Sequence, residues 1–130
     1  MKETTKSDKK WGRFNAKLQE LMKAQDFWGL GVTYYEMANF MDEEGKNSTA
    51  VRKLGYEMKL KVNEANLEEI LQSDVATKVE IIGAPDSCEA CKKLNGSFFP
   101  TSEAKRSNLL PVKACIHPFG CRCVYGPAFD

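Results

Sequence analysis

Apolar residues recur at spacings of three and four from Trp11 to Leu71, then give way to short alternating runs and clustered cysteines. Trp11, Phe14, Leu18, Leu21 and Met22 share one face, with Lys17, Glu20 and Lys23 mostly off it. That period predicts an amphipathic helix over 11–25. A second stripe runs through Phe27, Leu30, Tyr34, Met37, Ala38 and Met41, widened by Trp28, Tyr35 and Phe40. It predicts a helix over 27–44, with Asp26 as N-cap and Gly45 in the left-handed position that closes it. Gly29 and Gly31 disfavour helix, so its first turn is either loose or packed closely against a neighbour.

Thr49 to Gln72 is the longest helical stretch. Val51, Leu54, Met58 and Val62 form its stripe, and Leu67, Ile70 and Leu71 continue it after a drift in phase. Asn47 or Ser48 caps the start. A break is expected near Asn63, because Asn63 and Asn66 are poor helix formers. Leu30-Gly31 and Leu54-Gly55 look alike, but the later small and large residues of a helical-hairpin repeat are out of register, so no repeat is read. The alternating, β-branched run Lys78–Ile82 predicts a short strand. Gly83 to Ser87 reads as a turn, Phe98-Phe99-Pro100 as a second short strand, and Thr101 to Ser107 as one helical turn capped by Thr101 or Ser102.

The fold class expected is α+β, mainly α. Residues 1–10 form a flexible tail, 11–75 a helical region of about three helices, and 76–130 a small zinc-stabilised module with short strands.

Charge narrows the function. Nineteen basic residues against eighteen acidic ones leave a net charge of +1, which gives no bulk electrostatic case for nucleic acid or membrane. No apolar run approaches the roughly 18 residues of a membrane helix. The N-terminal MKETTKSDKKWGRF lacks the apolar core of a secretory leader, so a cytoplasmic chain is expected. In a reducing compartment clustered cysteines point to metal, and five cysteines cannot all pair within one chain.

Cys88-Glu89-Ala90-Cys91 is a CxxC, whose spacing lets a tight turn set two sulfurs on one metal edge. After 23 intervening residues, Cys115, His117, Cys121 and Cys123 supply four more donors within nine residues. The combination is the pattern of a structural zinc site. Four of Cys88, Cys91, Cys115, Cys121 and Cys123 are expected to bind zinc, with His117 as a substitute. Cys121 and Cys123 would face opposite ways in an extended strand, leaving one as ligand, while a turn would bring both inward. Arg122 beside them offsets the negative charge of a thiolate site.

The run DSCEACKKLNGSFF followed by HPFGCRC resembles the C-terminal motif of phage head-morphogenesis proteins, the Mu F-like minor head proteins, over residues 86–125. Cys88, Cys91, Leu94, Gly96, His117, Pro118, Cys121, Arg122 and Cys123 match its residue types. Phe119 and Gly120 stand between Pro118 and Cys121 where the family usually has one residue, and Cys115 is an addition. These departures favour an all-cysteine site over one using His117. The resemblance implies a module used in capsid assembly or fused onto toxins, and no particular activity.

The expected function is therefore a non-catalytic zinc-binding protein, phage- or prophage-related, that contacts a protein partner and takes no small-molecule substrate. The alternative is zinc-dependent nucleic-acid binding, through Lys92, Lys93, Lys105, Arg106, Lys113 and Arg122 around the cysteines. A third reading, a redox or zinc-dependent enzyme, lacks support. Lys92 to Gly96 allows barely a turn of the long helix that a thioredoxin-like CxxC needs, and no H-x-E accompanies the CxxC as in zinc deaminases. Any histidine-dependent nucleophile would have to use His117, the one histidine.

Overall fold

A computed structural model of the chain describes residues 5–73, 75–113, 115 and 117–129; residues 1–4 of the expected tail lie outside it. In order, the elements are α1 (Lys6–Ala24), α2 (Phe27–Glu43), α3 (Thr49–Gln72), β1 (Lys78–Ile82), α4 (Glu89–Leu94), β2 (Phe98–Pro100), α5 (Thr101–Ser107) and β3 (Val124–Ala128). The fold is α+β and mainly α. Among the described residues no helix is long and apolar enough to cross a membrane.

Helix α1 starts earlier than its apolar stripe does. The Thr5 hydroxyl accepts from the Asp8 N–H at 3.0 Å, and the Asp8 carboxylate accepts from the Thr5 N–H at 3.2 Å. This reciprocal cap satisfies two otherwise orphaned donors, and it draws Lys6–Lys10 out of the expected tail into the helix. Between α1 and α2, Gln25 is left-handed at φ 54, and Asp26 caps α2 by accepting from the Gly29 N–H at 2.9 Å. A side chain at Gly29 would meet Leu21 at 2.8 Å, so the first turn of α2 is closely packed and not loose.

The chain divides into two compact units between Met58 and Lys59. The first has a core of Phe14, Leu18, Leu30 and Met37, with Trp11, Tyr34, Phe40, Val51 and Met58 against it. Met22, Phe27, Trp28 and Leu54, expected on the apolar stripes, are exposed instead. Leu54 loses its place to Gly55, which is buried and lets α3 approach α2 at the Tyr35 ring. An added Cβ there would lie 2.8 Å from two ring carbons. Gly55→Ala therefore sets an overpacking cost of about 1–3 kcal/mol against a helix-propensity gain of about 1 kcal/mol. Urea titration should show a net loss of stability; a gain would mean that Tyr35 moves aside freely.

In the second unit the sheet order is β2-β1-β3, with both pairings antiparallel. Val79 of β1 faces Phe99 and Pro127, and Ile81 faces Tyr125, which puts these side chains on one face. Val79 and Ile81 are fully buried there with Leu67 and Ile70 of α3, Ala104 of α5, Leu110, Tyr125 and three cysteines. Ile81→Ala should cost about 2–5 kcal/mol, since a rigid sheet cannot close the cavity. A loss under about 1 kcal/mol in denaturant titration would show that this core is loosely packed.

Two further expectations are corrected here. Helix α3 does not break near Asn63. The Asn63 amide donates to the Lys59 carbonyl at 3.0 Å, and that of Asn66 to the Tyr125 carbonyl at 3.1 Å. Both side chains thus have partners that leave the helical backbone intact. The last turns of α3 belong to the second unit and supply Leu67 and Ile70 to its core. Finally, Pro100 stands at the N-cap position of α5 in place of Thr101 or Ser102, since β2 runs directly into the helix.

Candidate metal centre

The CxxC is positioned by α4. Cys88 is its N-cap residue and Cys91 lies one turn inside, so a spacing of three sets both on one side. The Lys92 and Asn95 N–H groups donate to the Cys88 and Cys91 carbonyls at 2.9 and 3.0 Å, which fixes that turn. The second cluster arrives on irregular backbone. Gly120 is left-handed at φ 78 and donates its N–H to the His117 carbonyl at 2.8 Å, turning the chain just before Cys121. Cys121 and Cys123 precede β3 and do not alternate as in a strand; both are buried and their sulfurs belong to one group. The two sulfurs therefore lie together on irregular backbone that follows the turn at 118–119, and not on opposite faces of a strand.

All five cysteines are free thiols. They form two groups, Cys88, Cys91 and Cys115, and Cys91, Cys121 and Cys123, each with sulfurs within 4.8 Å of one another. Cys91 belongs to both. The Sγ atoms of Cys88 and Cys115 are 3.6 Å apart, and those of Cys91 and Cys121 are 3.9 Å apart. Both values are far beyond a disulfide bond of about 2.05 Å. They bracket the edge of about 3.8 Å that a tetrahedron of sulfurs makes when each lies about 2.3 Å from its centre. Cys91, Cys121 and Cys123 are buried, and Cys88 and Cys115 are half-buried. These clusters could hold a metal ion.

The surroundings fit a cation. Burial pushes the thiols of Cys91, Cys115 and Cys123 up, that of Cys123 to about 11, with the charge of Cys121 adding to the shift. Without a cation, burial favours the protonated form of these three thiols. A divalent ion reverses that preference by displacing the protons.

His117 lies outside both sulfur groups. Its Nδ1 accepts from the Phe119 N–H at 3.1 Å, and its Nε2 is 3.5 Å from the Asp86 carboxylate. Arg122 pairs with the same carboxylate, so Asp86 ties the chain ahead of the CxxC to the loop of the second cluster.

One residue escaped the sequence reading. Lys59 is buried, and its Nζ donates to the carbonyls of Phe119 at 2.7 Å and Cys121 at 3.0 Å. Burial lowers its pKa to about 8, against the opposing pull of Cys121, Cys115 and Cys91. The signal was present in the helix phase. Gly55, Lys59, Asn63, Leu67 and Ile70 are the buried face of α3, not the stripe through Leu54 and Val62.

Fold and site together define a mainly α protein with a buried, all-cysteine cluster able to hold a metal ion. No protein-family profile matches the chain, and neither does any curated protein or solved structure.

Proposed function

We propose that the chain is a non-catalytic zinc protein whose metal holds together the unit from Lys59 onward. The observation that carries this reading is the pair of sulfur separations, 3.6 Å for Cys88 and Cys115 and 3.9 Å for Cys91 and Cys121. Each separation matches one edge of a sulfur tetrahedron, and the four cysteines they join, Cys88, Cys91, Cys115 and Cys121, are the ligands proposed; Cys121 belongs to the other three-sulfur group, so the ion would draw the two groups together. Cys123 is then the spare, a small buried hydrophobe against the sheet. Four thiolates complete the shell of zinc and leave no position for the water that a catalytic zinc activates.

The role that follows is structural, in support of a surface that meets a protein partner. The resemblance of residues 86–125 to the phage head-morphogenesis motif supports a phage- or prophage-related setting, with a capsid-assembly protein as that partner. X-ray absorption on the zinc-loaded chain separates a structural from a catalytic centre. Four sulfurs at about 2.3 Å and no lighter donor are expected. A water oxygen in the first shell, the mark of an open catalytic position, would sink the non-catalytic reading.

A further inference from the structure

We propose that Lys59 is a positioning residue of the metal centre: its ammonium ties down the Cys121 loop and places positive charge beside the thiolates. The proposal rests on the zinc reading above and deepens it.

Lysine is almost never fully buried unless it is paired. Here it is 1% exposed, on the same face of α3 as Leu67 and Ile70, where an apolar side chain would pack without cost. What it reaches is specific. Its Nζ donates at 2.7 and 3.0 Å to the carbonyls of Phe119 and Cys121, which bracket the left-handed Gly120. The ammonium therefore clamps the bend at Gly120 through the backbone carbonyls on either side of it. Replacing it with an apolar residue would remove the partner of two carbonyls at that bend.

Charge gives it a second role. A divalent ion with four thiolates carries a net charge of −2, and a buried uncompensated charge is costly. Asp86 already engages Arg122, the other cation beside the cluster. Lys59 reaches the Cys121 backbone from α3 and offsets part of that charge without becoming a ligand. Groups one step out from a metal typically change its affinity 10–100-fold.

The test uses the full chain and competition with a chromophoric zinc chelator. Lys59→Met keeps length and loses donor and charge. Lys59→Gln keeps a donor, and Lys59→Arg keeps the charge. Affinity is expected to fall by about 10–100-fold for Lys59→Met, by less for Lys59→Gln, and least for Lys59→Arg. Should a variant purify unfolded, zinc titration decides. Recovery of the folded signal at higher zinc than wild type needs supports the proposal, and failure to recover at any zinc concentration overturns it. Folded Lys59→Met binding zinc as tightly as wild type also overturns it, and leaves the zinc reading intact. Wild-type chain that binds no zinc overturns the zinc reading itself.

Discussion

If zinc holds the cysteine cluster as proposed, stripping it from the purified chain with a strong chelator should unfold the residues from Lys59 onward, while the core around Phe14 and Leu30 survives. The reason is the composition of the two cores. The first is closed by aromatic and aliphatic side chains, with the Trp11, Phe14 and Phe40 rings 5.5–6.1 Å apart, and contains no cysteine. The second counts Cys91, Cys121 and Cys123 among its ten buried members. A core in a unit this small rarely supplies more than about 3–5 kcal/mol alone. Structural zinc sites contribute about 10–16 kcal/mol in small domains, so a zinc ion here would outweigh the apolar core of the sheet. Amide hydrogen exchange is the readout. Protection of Val79 and Ile81 should collapse on chelation and return with zinc, while that of Phe14 and Leu18 persists. Equal protection of β1 with and without zinc would show that the apolar core suffices.

The second large effect is that of Cys91→Ser. Cys91 is the one cysteine in both sulfur groups and is 1% exposed. Sharing about 10–16 kcal/mol over four ligands assigns roughly 3–4 kcal/mol to each, or about 10²–10³-fold in affinity. A serine at position 91 also leaves a hydroxyl buried among thiols with its partners lost. Cys91→Ser should therefore be the most damaging member of the five-variant series. Cys88→Ser, Cys115→Ser and Cys121→Ser should follow, and Cys123→Ser should bind zinc nearly as wild type. Zinc competition on each purified variant ranks them. If Cys123→Ser proves as damaging as Cys121→Ser, Cys123 is a ligand and the assignment by the two closest sulfur pairs fails.

Much of this could be read from residue order where the cause was local. The stripe through Leu30, Tyr34 and Met37, the Asp26 cap and the alternation of Lys78–Ile82 each depend on neighbours in sequence, and each element formed where expected. The spacing of the cysteines likewise announced a cluster, because turns at Gly120 and in α4 are themselves local. What stayed hidden was non-local. Strand β3 carries Gly126 and Pro127, two residues that argue against a strand, and it forms because it lies at the sheet edge against β1. The face of α3 was misjudged because its buried positions include Lys59 and Asn63, polar residues whose partners lie elsewhere in the chain or helix. Residue type alone gave them to the solvent. The carbonyls of Phe119 and Cys121, distant in sequence, are partners that keep Lys59 inside.

The central claim is that zinc is an integral part of this fold. Elemental analysis of the full chain, purified without added metal or chelator and matched to amino-acid analysis, addresses it directly. One zinc per chain, lost together with the folded signal of the second unit, is the expected result. Folded protein free of metal would contradict it, as would two monovalent copper ions per chain, one in each three-sulfur group.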